Sequence, residues 1–195
     1  MACTGLIDAD ILFDCEDASI AGLEVDTIIV NRADVDTTSI TYDASNKLLM
    51  TNFQLKAGKS GFLIKGVKQV NSTNHELVIK ETGTDKVKHI FNGLILTPSA
   101  ANKLQLQNMK DGGDFVLIVE KKWKGASDED AFEVYGIDSG LKLTASNYNS
   151  NENDGAITFS LTSEDGYEEP KYPCNLLETD YDTTKTAFGN KFVQA

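Results

Sequence analysis

The stretch GLKLTASNYNSNENDGAITFSLTSED, Gly140 to Asp165, holds two runs in which apolar and small polar residues alternate. Leu141, Leu143 and Ala145 point one way, and Lys142, Thr144 and Ser146 the other. In the second run Ile157, Phe159 and Leu161 share a face opposite Thr158, Ser160 and Thr162. A period of two marks a strand with one dry and one wet face. The link between the runs is rich in Asn, Ser, Asp and Gly, so the pair predicts a β-hairpin with an outer wall of hydroxyls.

The same punctuation continues outward in both directions. Short apolar runs bounded by Asn, Asp, Ser, Thr and Gly predict strands over Thr27–Asn31, Ser39–Tyr42, Phe62–Val70, Glu76–Glu81, Lys86–Phe91, Phe115–Lys122 and Phe132–Gly136, with the hairpin strands Leu141–Ser146 and Ile157–Thr162. KETGTDK, between the fourth and fifth strands, reads as a hairpin turn. FVLIV, Phe115–Val119, is continuously apolar and predicts a strand covered on both faces. One segment breaks the pattern. In TPSAANKLQLQNMKDGG, Thr97 is placed to cap a helix, Pro98 to open it and Gly112 or Gly113 to close it, while Ala101, Leu104 and Met109 recur at helical spacing. The expected fold is therefore a mostly-β, antiparallel sandwich or barrel with one flanking helix, about residues 98–111.

The ends differ from the middle. Residues 1–24 mix apolar and acidic residues with no sustained period and read as an N-terminal arm or first strand; residues 25–166 form the β domain. Residues 167–195 contain Pro170 and Pro173 and then a polar, Thr-rich tail, read as an extended C-terminal arm. Tyr172, Leu176, Leu177, Phe188 and Phe192 are apolar anchors along that arm, and with Trp123 they are the candidate subunit contacts. An arm docking on a neighbour and a tail packing back on its own domain both fit this pattern. On the first reading, deleting Asp180–Ala195 leaves the domain folded and weakens assembly.

Composition narrows the function. An apolar fraction of 41% over 195 residues is enough for one packed core. A net charge of -12 repels phosphate backbones and anionic lipid surfaces, which disfavours a nucleic-acid binder or a membrane-surface protein. No apolar run reaches the ~20 residues of a membrane helix, and MACTGLIDADILFDCED is acidic where a secretory signal is basic, so a chain made and kept in a cytoplasm is expected. Cys3, Cys15 and Cys174 are odd in number and far apart, consistent with reduced thiols and with neither a disulfide framework nor a zinc site.

The search for chemistry returns little. Gly58-Lys59-Ser60 ends like a phosphate loop, but Phe53 stands where that motif needs its first Gly, and a strand follows where a helix is needed. His75 and His89 are the two histidines, the residue type whose unperturbed pKa lies near neutrality, and neither sits in a metal or nucleophile motif. DADILFDCED lacks the turn Gly and closing Glu of a calcium loop. Carboxylates are plentiful, but no spacing selects a glycosidase-like pair; Trp123 alone is a thin basis for a sugar platform. No catalytic residue, metal or cofactor is assigned.

A resemblance gives this blank surface a purpose. Phe132 to Pro170 resembles the C-terminal half of bacteriophage tail tube proteins: Tyr135-Gly136 ends one strand, Gly140-Leu141 opens the next, and the alternating Ile157–Thr162 follows a polar loop. The helix ahead of the buried Phe115 strand is similar to that family's single helix on a sandwich. The resemblance implies a virion structural protein of the tail, assembled in the host cytoplasm. It also implies self-association into stacked rings, usually hexameric, contacts with other tail or connector proteins, and a β-barrel lumen through which DNA passes unbound. Lys142, Thr144, Ser146, Thr158, Ser160 and Thr162 would then be lumen-facing, although on the alternation alone this face meets bulk solvent equally well. The first 50 residues match the family less clearly, which leaves a ring, connector or head-decoration role open. A carbohydrate-binding sandwich and a small carboxylate hydrolase are the rival classes.

Overall fold

Phe115–Lys121 is the strand about which both layers are arranged, and its uninterrupted apolar run explains why. In a computed structural model describing residues 7, 9–12, 14, 15, 17–67 and 70–194, Phe115, Leu117 and Val119 pack into the space between two sheets, while Val116 and Ile118 pack on the opposite side. The elements in chain order are β1 (Leu23–Asn31), β2 (Thr41–Tyr42), β3 (Leu49–Asn52), β4 (Phe62–Lys65), β5 (Ser72–Val78), β6 (Lys86–Ile95), α1 (Ala100–Asp111), β7 (Phe115–Lys121), β8 (Phe132–Tyr135), β9 (Lys142–Tyr148), β10 (Ile157–Thr162), β11 (Cys174–Leu176) and α2 (Tyr181–Gly189).

The strands form a seven-stranded sheet, β2-β3-β11-β8-β7-β1-β4, and a four-stranded sheet, β5-β6-β10-β9. The fold is mostly β and sandwich-like, as expected; the two sheets do not close into a barrel. Between them Phe91, Phe159 and Leu161 of the smaller sheet meet Leu117, Val119 and Tyr135 of the larger, with Leu106 of α1 at the margin. Opposite Phe159 in the β10–β6 register lies Gly93, where an added Cβ would sit 2.5 Å from the Phe159 ring. The ring lies over bare backbone, a use of strand glycine that needs no unusual dihedral.

Besides an unexpected β3, a β4 that stops at Lys65 and a β5 that starts at Ser72, three features depart from the sequence reading. Ser99 caps α1 in place of Thr97, its Oγ accepting from the Asn102 N–H at 3.2 Å, so the helix starts two residues later than Pro98. A second helix, α2, exists where an arm was expected. The C-terminal segment is also part of the large sheet: β11 lies between β3, to which it is parallel, and β8, to which it is antiparallel. Leu176, Phe188 and Phe192 are buried in a core with Phe53, Phe132 and Ile118, against the face of the large sheet that the small sheet does not cover. The Phe132, Phe188 and Phe192 rings meet in sequence at 5.2 and 6.3 Å between centroids, a geometry that suits aromatic quadrupoles. The arm reading of residues 167–195 is thus corrected: burial of these side chains holds the tail on its own domain.

Candidate functional site

The outer face of the four-stranded sheet is the candidate site, built from all four strands. β10 contributes Thr158 and Ser160, β6 contributes Asn92, Ile90 and Leu94, and β5 contributes Ser72 and Asn74, as their mutual register requires. β9 requires a correction. A register irregularity between Ser160 and Leu161 places Leu143 opposite Leu161 but Ala145 opposite Ser160 and Ser146 opposite Phe159. Directly opposed residues share a face, so the bulge at Thr144 turns Ser146 to the Phe159 side, where it stays exposed at the sheet edge, and Ala145 and Asn147 to the wet side. Strict alternation could not reveal this. Thr162 is also corrected: it is buried, with Thr144 Oγ1 donating to its Oγ1 at 3.0 Å. Lys142 and Thr144 are exposed, and Thr158 and Ser160 are half-buried.

The charges on this face gather at one end and are mostly paired. Lys142 meets Glu164 at 2.5 Å, Lys88 meets Asp165 at 2.7 Å, and Glu76 lies opposite Lys88 in the β5–β6 register. Away from that end the face is hydroxyls and amides with three aliphatic side chains, Ile90, Leu94 and Ala145; Ser160 Oγ donates to Asn92 Oδ1 at 2.7 Å. Such a surface presents donors and acceptors that water satisfies and no concentrated charge.

What holds the wall hairpin in place was not visible in the sequence. Glu169 is fully buried, and its carboxylate accepts from the backbone N–H groups of Asp138, Ser139 and Gly140 at 2.9, 2.9 and 3.1 Å. Its own backbone pairs in both directions with Val87. One residue therefore bolts the turn that launches β9 to the start of β6. Gly140 takes φ 93° there, and a Cβ would lie 2.4 Å from Asp114. Burial pushes the Glu169 carboxyl up, against the three N–H donors, which favour its ionised form.

His89 is the companion bolt. It is 1% exposed; Nδ1 accepts from the Gly136 N–H at 3.2 Å, which assigns the remaining ring proton to Nε2, donated to the Lys171 carbonyl at 3.1 Å. Burial lowers its pKa to about 4. A second ring proton would face the Gly136 N–H, so the folded state disfavours it. The unfolded value is ~6.5, so the unfolded chain binds more protons between those limits, and stability falls as pH drops through that window. The expected loss between pH 7 and pH 5 is about 2 kcal/mol, read as a lower urea midpoint, and a His89→Gln variant loses most of this pH dependence. Glu169, shifted upward, acts in the opposite sense. Glu168, held at about 2 by Lys80, gives up its contribution only below ~4.5, which separates it from His89.

Contacts within the chain engage several of the remaining candidates. Trp123 Nε1 donates to Asp17 Oδ1 at 3.0 Å. Tyr172 is exposed and meets His75 edge-on at 5.1 Å, and Leu177 is half-buried. Gly58 and Lys59 form a turn before β4, with Lys59 paired to Asp34 at 2.9 Å. Cys15 is exposed and Cys174 buried; Cys3 lies outside the described residues. Among the described residues no group of three His, Cys, Asp or Glu side chains is placed to hold a metal, and no helix is long and apolar enough to cross a membrane. Two shallow clefts of about 520 and 280 Å³ flank α2, and neither is lined by His, Cys or Ser.

Comparison with protein-family models, with curated proteins and with solved structures returns no match for this chain.

Proposed function

We propose that the protein is a structural subunit of a phage tail tube, acting without catalysis, which joins copies of itself into stacked rings around a channel for DNA. The observation that carries this reading is the four-stranded sheet itself: among the described residues, neither of its edge strands, β5 and β9, has a second strand partner. Its neighbours are all antiparallel. Copies related by rotation about an axis along the strands would therefore place β9 beside β5 of the next copy with the alternation of direction preserved. That is a heterologous contact, which closes into a ring when the rotation between copies divides a full turn. Edge strands left open to solvent are a hazard that proteins ordinarily manage. Here the β5 side leaves Leu77 and Ile79 exposed, as a strand awaiting a neighbour would. Six copies, the number the family resemblance implies, would give 24 strands; at ~4.8 Å spacing and ~40° tilt such a barrel is roughly 50 Å across its backbone, wide enough for a duplex. The large sheet covers the dry face, so the hydroxyl and amide face would line the lumen. In the virion the partners would be further rings and other tail or connector proteins.

Purified protein examined by negative-stain microscopy and light scattering over a range of concentrations is expected to show rings or stacks with a central hole. A strict monomer at every concentration and salt would overturn the reading.

A further inference from the structure

The N-terminal segment carries a pattern that its acidic composition obscures. From residue 7 to residue 16, Ile7, Ala9, Ile11, Phe13 and Cys15 alternate with Asp8, Asp10, Leu12, Asp14 and Glu16, a strand-like period of two. The described residues of this segment belong to no strand or helix, and Ile7, Leu12 and Ile11 are 86, 84 and 91% exposed. Meanwhile β4 ends the seven-stranded sheet and, among the described strands, pairs with β1 alone; the Gly61 N–H just ahead of it donates to the Lys191 carbonyl at 2.9 Å, and Phe62 and Leu63 are 57% and 43% exposed. Charge separates the two regions cleanly. Residues 8–17 contain five acidic and no basic residues; between Asp43 and Glu76 there are five lysines and no acid.

We infer that residues 9–12 of one chain add as a strand to the β4 edge of a second copy. The side-chain pattern selects a register. Leu12 is the one apolar residue among the acids, and on β4 Leu63 shares a face with Lys65. An antiparallel pairing with Leu12 opposite Leu63 puts Asp10 opposite Lys65 and Ile11 opposite Ile64. Apolar meets apolar on one face, and an acid meets a lysine on the other. The main chain of the added strand satisfies the open edge, and the flanking lysines steer the acidic segment to it. A second copy is the occupant because Asp17 is held by Trp123 beyond the end of β7, and β1 lies between β7 and the chain's own β4. This contact uses neither edge of the four-stranded sheet, so it stands or falls separately from the ring.

The test uses full-length chains carrying Cys3→Ser and Cys15→Ser. One adds Leu12→Cys, a second adds Leu63→Cys and a third, as control, adds Thr144→Cys on β9. These positions are exposed or half-buried, so folding is not at stake. Under mild oxidation, mixing the first two is expected to give a cross-linked heterodimer, whereas the first and third give none. Lys65→Glu should lower the heterodimer yield about fivefold, and Asp10→Lys in the partner should restore it. Absence of the heterodimer, equal linking to the β9 control, or cross-linking confined within a doubly substituted chain at high dilution would each overturn the inference.

Discussion

Removal of Asp180–Ala195 is expected to unfold the protein. Phe188 and Phe192 are each 3% exposed, and both pack on the large sheet. Truncating one buried Phe to Ala typically costs 3–5 kcal/mol, so losing two approaches the ~5–15 kcal/mol stability of an ordinary domain. The deletion also strips a buried charge. The Glu120 side chain, 2% exposed, accepts from Tyr181 at 2.8 Å, from Lys124 at 2.9 Å and from Lys185. Burial opposes its ionisation, and donation from Lys185, Lys124 and Tyr181 outweighs burial and keeps it charged. Without α2 only Lys124 remains, and an under-compensated buried carboxylate is strongly destabilising. Circular dichroism should show loss of the β signal, and Phe188→Ala alone should lower the urea midpoint by an amount equivalent to about 3–5 kcal/mol. A truncated chain with the native midpoint would restore the view of this tail as an arm.

That tail marks the boundary of what the sequence disclosed. β10 was legible to the residue because its two faces differ in chemistry at every step, and β7 because burial on both faces demands an unbroken apolar run. The existence of α1 followed from its capping signals, and only its first turn was misplaced. β11 is three residues long, too short to show a period, and Pro170 and Pro173 beside it suggested irregular chain. α2 reads as polar because the residues it buries are few: Phe188 in the last turn, Thr184, and Phe192 just beyond. The wet face of β10 was read correctly except at Thr162. On β9 one extra residue at Thr144 reversed the faces of what followed, and no alternation rule anticipates a bulge. Glu169 and His89 escaped notice because what matters about them is which distant backbone groups they meet. The two open edges that support the ring reading are a property of strand order, which single-chain periodicity does not encode.

The second large effect concerns the wall. If this face lines a lumen, its hydroxyls and amides would give DNA, with about one charge per ~1.7 Å of axis, little to hold. Replacing Thr144, Thr158 and Ser160 with Lys should be tolerated, since all three lie on the outer face and none is fully buried. Assembled particles of this variant are expected to retain duplex DNA at low salt. With 6–10 phosphates contacted, the affinity should fall by about 10³–10⁵ between 50 and 200 mM salt, whereas native particles retain no DNA at either. Failure of the variant to assemble would show that the face is buried between subunits.

The most direct measurement is the reactivity of Thr158→Cys, in a chain carrying Cys3→Ser and Cys15→Ser, towards a small and a bulky maleimide before and after assembly. If the outer face of the four-stranded sheet lines a channel, the small reagent labels assembled particles as it labels the single chain, and the bulky one, too large for the lumen, labels only the single chain. Equal labelling of assembled particles by both reagents would place Thr158 on an open surface and contradict the account.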